Sequence, residues 1–295
     1  MAQYSIRDLE HLSGIKAHTL RIWEQRYNIL QPKRTETNIR FYDDTDLKHI
    51  LNISFLNEQG YKISKIAKMS EQELVNEVLV LTQANVAFPQ QLNALLLAMI
   101  EMDEQKFDKL LTTAILQKGL EKTMLEVICP FLVKTGLLWQ TGSINPSHEH
   151  FISNLIRQKL FVAIDGQVIP DQQAAQRFLL YLPEGELHEI GLLFSNYVIR
   201  NRGNHVMYLG QNLPFTDLET CVHYYKPHFI CTAFTYMPER DKVQEYINNL
   251  SALADEIIVY LAGSQVQFGH INFPPNIIKI SSLPEFIGHI QDVSK

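Results

Sequence analysis

Two arginines near the N-terminus have the side-chain type and spacing to contact DNA. Arg21 and Arg26 are five positions apart in residues 17–27, where Leu20 and Trp23 give one apolar face of a short predicted helix. A guanidinium group can donate two parallel hydrogen bonds to guanine or bind a phosphate oxygen. A short helix that carries two such groups can lie in the major groove, so the spacing predicts a DNA-contacting helix.

The elements around this helix are those of a winged helix-turn-helix. Ser5 and Asp8 are spaced to cap a first helix that ends at Gly14, so two short helices meet across a glycine-containing turn. Residues 32–42 are basic, begin with proline and close on β-prone side chains, which predicts the wing. One of residues 44–46 is then expected to cap a third helix.

The wing adds cations that suit the DNA backbone. Lys33, Arg34 and Arg40 are expected to contact phosphates or the minor groove, which orients a protein without specifying sequence. The hydroxyl groups of Tyr27 and Tyr42 are candidates for bonds to phosphate oxygens. The full set of predicted DNA contacts is Thr19, Arg21, Arg26, Tyr27, Lys33, Arg34, Arg40 and Tyr42.

Two alternatives compete with this interpretation. Arg26 could pair with Glu24 or Glu58, and Trp23 suits a core better than a base contact. The charge distribution favours a polyanionic partner. The first 70 residues carry 11 Lys and Arg against 8 Asp and Glu, whereas the remaining 225 carry 15 against 24. A basic end on an acidic body fits a chain that touches DNA with one end only.

The same N-terminal residues resemble the DNA-binding domain of the MerR family. The resemblance covers about 70 residues, with Tyr-x-Ile at Tyr4, a TLRxWE second helix, a Leu-x-Pro and an R-x-Y ending at Tyr42 in the family's order. Asn38-Ile39 stands where the family usually has Gly-Tyr. The RxWExRY form of the second helix is similar to the subgroup that carries cobalamin-type sensors. The resemblance implies a transcriptional regulator that binds a double-stranded DNA operator.

The rest of the chain changes pattern twice, which predicts two further domains. Residues 82–90 and 165–176 are polar and contain proline, as linkers do. Consecutive amphipathic stretches between them are typical of a helical bundle. Beyond them, short apolar runs alternate with helical stretches, which predicts a parallel sheet that binds ligands at the carboxyl ends of its strands. The expected fold is multidomain α and α/β: a winged helix-turn-helix (1–80), a four-helix bundle (86–166) and a Rossmann-like five-stranded parallel sheet (177–295).

A second resemblance begins where the first strand of that sheet ends. Glu186, His188 and Gly191 match the D/E-x-H-x-x-G of cobalamin-binding domains. The resemblance implies that His188 is the lower axial ligand of cobalt, a metal ligand, and that the Glu186 carboxylate orients its imidazole. Such a partner makes the imidazole a fixed and more basic ligand. Taken alone, His188 would more often be a solvated surface side chain.

Two further stretches stand where the family's nucleotide-tail motifs are expected. Thr232-Ala233-Phe234 replaces Ser-x-Leu, and Ala262-Gly263 replaces Gly-Gly, both at predicted strand ends. Phe234 is bulkier than leucine, and Ala262 adds a methyl group where the backbone approaches the ligand closely. Either change could narrow the groove for the tail.

The bundle carries a third feature of the family. Trp139 precedes Glu149 and His150 by ten and eleven positions, which resembles the W-x9-EH signature of the coenzyme-cobalamin photoreceptor repressors. The resemblance implies that these residues cover the upper face of the cofactor, where an indole suits an adenosyl group and a carboxylate suits its ribose. Gln140 stands where some members have a second histidine, so the photoproduct is expected either to be ligated differently or to use His150. Without the resemblance, Trp139 would be assigned to the bundle core.

Together the resemblances imply a repressor that uses adenosylcobalamin, and light, to set its oligomeric state and operator affinity. A homo-oligomer, dimer or tetramer, is expected on the DNA. One alternative keeps the fold without the cofactor and uses the C-terminal half for dimerisation or a protein partner. The other is a corrinoid carrier of a methyltransferase system, which would have no use for the N-terminal 70 residues.

Composition argues against several other classes. No Ser-His-Asp, Cys-His or paired-carboxylate arrangement has a supporting context, so an enzyme is not expected. Cys129, Cys221 and Cys231 are too few and too scattered for a disulfide framework or a zinc site. The N-terminus is polar and no run of about 18 apolar residues occurs, so a cytoplasmic protein with no membrane partner is expected.

Overall fold

A computed structural model of the chain describes residues 4–34, 40–84, 90–140, 144–168, 175–235, 242–254, 256–267 and 271–294. Asn38-Ile39 and the middle of both predicted linkers lie outside these ranges. The chain divides into two compact units, Met1–Ala114 with Glu126–Ile152, and Ile115–Leu125 with Ser153–Lys295. No helix in the described ranges is long and apolar enough to cross a membrane.

The first unit begins with a helix-turn-helix and a two-stranded wing. The elements are α1 (Ile6–Ser13), α2 (Ala17–Tyr27), β1 (Lys33–Arg34), β2 (Arg40–Phe41), α3 (Asp44–Glu58), α4 (Ile63–Ile66) and α5 (Glu71–Ala84). The predicted capping box of α1 is present, because the Asp8 N–H donates to Ser5 Oγ and the Ser5 N–H donates to the Asp8 carboxylate. Strands β1 and β2 pair antiparallel, as a wing requires.

The cap of α3 lies one residue before the expected range. Asp43 Oδ1 accepts hydrogen bonds from the N–H groups of Thr45 and Asp46, and the Asp46 carboxylate accepts one from the Asp43 N–H. The expectation of a cap at 44–46 was therefore wrong. Residues 43–46 all have side chains that can cap, so local preference alone does not choose among them.

Apolar side chains from five helices, α1 to α5, form one core in this module. Leu9, Leu20 and Ile50 are fully buried, and Val78 of α5 joins them. Trp23 is half-buried and packs against this core, which is the alternative to base contact that the sequence left open. The core thus fixes α2, whose opposite face is exposed.

The predicted helical bundle follows. Its elements are α6 (Gln90–Ile100), α7 (Glu104–Lys118), α8 (Leu120–Thr123), a π-helical segment (Met124–Ile128), α9 (Cys129–Gln140) and α10 (Pro146–Asp165). In the first unit, the Phe107 ring lies 5.6 Å from the Phe131 ring and 6.4 Å from the Phe151 ring, measured between centroids. Aromatic packing therefore joins α7, α9 and α10 in this unit.

The second unit contains a five-stranded parallel sheet. Its elements are β3 (Arg177–Pro183), α11 (Ile190–Arg200), β4 (His205–Leu213), α12 (Phe215–Tyr225), β5 (Phe229–Ala233), α13 (Val243–Leu253), β6 (Ile258–Ala262), α14 (Ser264–Gln267), β7 (Ile277–Lys279) and α15 (Leu283–Val293). The strand order is β4-β3-β5-β6-β7, and all neighbouring pairs are parallel. The chain leaves β3 for β4 on one side and returns to β5 on the other. The carboxyl ends of β3 and β5 therefore form the crevice in which such sheets bind ligands.

Gly263, directly after β6, occupies a position that only glycine fits. Its φ is +107°, and a Cβ added there would collide with the backbone of Phe234. We expect Gly263→Ala to lower the free energy of unfolding by about 2 kcal/mol or more in urea denaturation. Gly288→Ala in α15 is the control, because open space surrounds Gly288 and alanine favours a helix by about 0.5–1 kcal/mol. Equal stabilities of the two variants would refute this role for Gly263.

Candidate functional site

The outward face of α2 carries the two arginines that the sequence predicts to contact DNA. Arg21 and Arg26 are exposed, whereas Leu20 is buried. Thr19 and Tyr27 are half-buried, and the Tyr27 ring packs against the core. The helix therefore presents guanidinium groups from a fixed frame, as a groove-binding helix requires.

The wing cations have acidic neighbours within the same module. Lys33 forms an ion pair with Asp43, the cap of α3. Arg40 lies 3.8 Å from Glu24 of α2, and Arg34 is exposed on β1. In both pairs the cation is about half exposed, so it stays within reach of a DNA phosphate.

Tyr42 belongs to the core of the module. Its side chain is fully buried, and its hydroxyl donates a hydrogen bond to Glu24 Oε2 at 3.2 Å. Burial, followed by the charge of Glu24, raises the pKa of Tyr42 to about 12, so the hydroxyl keeps its proton. A buried ring with an occupied hydroxyl argues against the predicted phosphate contact, and we leave Tyr42 out of the proposed DNA contacts.

Arg7 is a candidate contact that sequence reasoning missed. Arg7, Arg21 and Arg40 line one cavity of about 330 Å³ together with Ser5 and Ile6. Guanidinium groups from α1, α2 and β2 around one cavity are suited to a phosphate group. No local signal marks Arg7, because only the packing of α1 beside α2 and the wing brings the three arginines together.

The loop after β3 holds His188 in a defined orientation. Glu186 is fully buried, and its Oε1 lies 2.6 Å from His188 Nδ1 and accepts the His188 N–H at 3.0 Å. Its Oε2 accepts the Thr235 N–H at 2.6 Å. With Nδ1 bonded to the carboxylate, Nε2 is the nitrogen suited to a metal. The side chain of His188 is 60% exposed, so its ring remains accessible to a ligand. The contact between Glu186 and His188 that their spacing predicted is present in the structure.

Gly191 was predicted as a site residue from the sequence, whereas Thr235 was not. Gly191 lies in the first turn of α11, where a Cβ would meet open space, so nothing in the structure explains the glycine there. Thr235 was missed because it contributes a backbone N–H, for which no residue type is diagnostic.

The predicted strand-end motifs after β5 and β6 are neighbours. The Phe234 N–H donates to the Ala262 carbonyl at 2.9 Å, and Gly263 lies against the Phe234 backbone. Thr232 is buried, and the Phe234 ring packs against Tyr246 of α13 with 5.3 Å between centroids. The extra bulk of Phe234 is therefore placed in the core that α12 and α13 form with the sheet.

In the first unit, the predicted upper-face residues lie near the end of α9 and the start of α10. Trp139 is 50% exposed, so it is not bundle core. His150 Nδ1 lies 3.3 Å from Glu149 Oε2, and both side chains are partly open to solvent. The side chain of Gln140 lies outside the described residues. Within the described ranges, no group of three His, Cys, Asp or Glu side chains could hold a metal ion alone.

Two family models match the chain. Residues 4–73 match the MerR HTH family regulatory protein, and residues 91–163 match the B12 binding domain. The chain therefore contains a MerR-type helix-turn-helix segment and a B12-binding segment. The resemblance to the MerR family is thereby confirmed for the N-terminal domain, and the resemblance to cobalamin-binding proteins is confirmed for the helical bundle.

Two repressors from Myxococcus xanthus are similar to this chain over most of its length. The HTH-type transcriptional repressor CarH is 27% identical over 268 residues, which cover 88% of this chain and 89% of the relative. The HTH-type transcriptional repressor CarA is 27% identical over 231 residues, 78% of this chain and 75% of the relative. The monomethylamine corrinoid protein of Methanosarcina barkeri matches in fold, with a TM-score of 0.54 and 13% identity over 70% of this chain and 97% of that chain.

The pair of Lys33 and Asp43 makes the DNA-binding module sensitive to acid. The Lys33 ammonium group, and then the Asp46 N–H, lower the pKa of Asp43 to about 2, against about 3.9 in an unfolded chain. A lowered pKa stabilises the folded state above the unfolded value, and the contribution is lost as the pH falls through the folded value. We expect Asp43→Asn, which keeps a capping side chain, to be less stable than wild type at about pH 7, with the difference shrinking between about pH 4 and pH 2. Thermal unfolding followed by circular dichroism measures it, and a difference independent of pH would count against the pair.

Proposed function

We propose that this MerR-type regulator is a transcriptional repressor that binds operator DNA and uses cobalamin to control that binding. The observation that carries the proposal is the buried Glu186, which holds the His188 imidazole by Nδ1 at the crevice between β3 and β5. The domain limits that we propose are 1–80 for DNA binding, 86–166 for the bundle and 177–295 for the cobalamin-binding sheet.

DNA binding in this proposal uses base and phosphate contacts from separate elements. Arg21 and Arg26 of α2 contact base edges in the major groove, and Thr19 and Tyr27 flank them. The wing supplies phosphate contacts that fix the orientation of α2. The proposed set is Arg7, Thr19, Arg21, Arg26, Tyr27, Lys33, Arg34 and Arg40.

The residues at the crevice fit a corrinoid that takes a histidine ligand. The donor is an imidazole whose Nδ1 is held by a buried carboxylate, which is the arrangement that a fixed, basic metal ligand needs. His188 would hold cobalt through Nε2, and Glu186 would fix its tautomer. Ala262 and Gly263 would line the entrance for the nucleotide tail. When bound, the adenosyl form supplies a cobalt–carbon bond that light can break.

Residues of the bundle would cover the upper face of adenosylcobalamin. The half-exposed indole of Trp139 offers a flat apolar surface to the adenosyl group, and Glu149 can accept hydrogen bonds from its ribose. We propose a dimer or tetramer whose assembly depends on this contact, because a ligand shifts an equilibrium only through its differential affinity for the two states. Several DNA-binding modules in one assembly then strengthen operator binding.

A second candidate function is favoured by the packing of aromatic side chains near the carboxyl end of β5. Tyr181 and Phe234 are fully buried, and the Tyr181 hydroxyl lies 3.1 Å from the Tyr246 hydroxyl. Aromatic side chains thus fill this side of the sheet at the end of β5. If a nucleotide tail cannot be accommodated beside them, the regulator uses its cobalamin fold for dimerisation or a protein partner without the cofactor.

The test of cobalamin binding is a visible absorption spectrum after mixing with adenosylcobalamin in the dark and removing free cofactor. We expect wild type to keep the cofactor, and His188→Ala to lose the lower-ligand signature with an affinity about 10–100-fold lower. His223→Ala is the control, because it removes an exposed histidine of α12 that is outside the proposed cofactor contacts and should keep that signature. A colourless wild type would leave the second candidate function. Illumination should change the spectrum and the mass of the loaded assembly, and the absence of both changes would exclude light as the signal.

The phosphate site around Arg7 is tested by the salt dependence of DNA binding. Arg7→Gln should weaken operator and non-operator DNA alike, since a phosphate contact carries no sequence information. The slope of log affinity against log salt should become shallower by about 0.9. Lys109→Gln, at an exposed position of α7, changes the net charge equally and should leave the slope unchanged. Fluorescence anisotropy titrations at several salt concentrations measure both affinities. A loss of affinity for the operator alone in Arg7→Gln would rule out a phosphate contact.

A further inference from the structure

His188 lies at the centre of a sharp turn that is fixed on both sides by a buried carboxylate. The Glu189 N–H donates to the Leu187 carbonyl at 2.9 Å, which closes the turn around His188. On one side, Glu186 is tied to the Thr235 N–H. On the other side, Glu189 is only 5% exposed. The imidazole therefore projects from a backbone whose two neighbouring anchors are inside the protein.

Glu189 is held by two further elements, α10 and β4. Arg157 of α10 forms an ion pair with Glu189 Oε1, and the Tyr208 hydroxyl of β4 donates to Glu189 Oε2 at 2.9 Å. Burial, and then the charge of Glu189, raise the pKa of Tyr208 above its ordinary value, so the phenol remains a donor. Removal of either partner leaves part of a desolvated carboxylate without compensation, which is costly.

The position of Glu189 in the helix shows that it does not serve as a cap. It is the N-cap residue of α11, where a short polar side chain such as aspartate or serine usually accepts hydrogen bonds from the first N–H groups of the helix. The Glu189 side chain makes no such bond. It turns toward α10 and β4 instead, so its role is to join elements that are distant in sequence.

We propose that Arg157 and Tyr208 are positioning residues for His188, acting through Glu189. The inference rests on the proposed function, because the place of the imidazole matters through what it binds. Helix α10 also carries Glu149 and His150, and the seven residues from His150 to Arg157 span about 10 Å of helix. A displacement of α10 therefore reaches Glu189 directly and moves the turn that carries His188. In this proposal, the position of α10 regulates how well His188 can bind cobalt.

The test compares Arg157→Met, Arg157→Lys and Tyr208→Phe with Arg202→Met. The last variant breaks another Arg–Glu pair of the same unit, in which Arg202 donates to Glu121 at 3.1 and 3.2 Å. With hydroxocobalamin, we expect Arg157→Met to weaken ligation through His188 about tenfold in the visible spectrum. Tyr208→Phe should have a smaller effect, and Arg157→Lys should restore part of the loss. Arg202→Met should lower thermal stability while ligation stays at the wild-type level.

A second measurement needs no cofactor. The His188 imidazole resonance, assigned by its absence in His188→Gln, should shift or broaden in Arg157→Met and Tyr208→Phe and stay unchanged in Arg202→Met. A wild type that fails to bind cobalamin would overturn the proposed function, and the imidazole resonance would still decide the coupling. If Arg157→Met and Tyr208→Phe keep both the wild-type resonance and wild-type ligation, Arg157 and Tyr208 do not position His188. An equal effect of Arg202→Met would also reject the proposal, because it would indicate general loosening.

Discussion

A carboxylate can be buried at the edge of a sheet only if hydrogen bonds replace the water that its oxygens lose, since the uncompensated cost is several kcal/mol per ion. Glu186 meets this requirement with the Thr235 N–H on one oxygen and the His188 N–H and Nδ1 on the other. The two partners come from the loops after β3 and β5. These loops are adjacent only because the strand order places β3 beside β5. The sheet topology, the buried carboxylate and the orientation of the imidazole are thus one connected constraint.

The DNA-binding module has a comparable organising carboxylate in Glu24. Its carboxylate accepts a hydrogen bond from the hydroxyl of the buried Tyr42 and lies 3.8 Å from the guanidinium of Arg40. One acidic side chain on α2 therefore holds the second wing strand to the helix that would enter the groove. The positive surface is smaller than a count of its basic residues suggests, because Arg40 already has an anionic neighbour. In the proposed complex, the contribution of Arg40 to DNA affinity would depend on how readily a phosphate replaces Glu24 as its partner.

Local patterns predicted the elements and the contacts within a few residues. The spacing of Ser5 and Asp8 gave the first cap, alternating apolar runs gave the parallel sheet, and the two-residue spacing of Glu186 and His188 gave their contact. The contacts that the sequence missed join residues that are far apart along the chain. The Thr235 N–H and the Arg157 side chain reach the His188 turn through tertiary packing, which leaves no periodicity or short motif to read. Burial was also hard to predict, since an R-x-Y ending is the same whether its tyrosine is buried or exposed.

A fixed imidazole restricts how a signal can arise at this site. If the His188 turn could adapt freely, a corrinoid would bind equally well in every arrangement of the chain, and equal affinity shifts no equilibrium. Two buried carboxylates on either side of His188 remove that freedom, and one of them is tied to α10 by Arg157. In the proposed mechanism, ligation by His188 would have a different free energy for each position of α10, which is the differential affinity that any coupling between two sites requires. Rigidity of His188 would therefore be a condition for the proposed regulation, because an imidazole that adapts to every position of α10 would bind cobalt equally well in all of them.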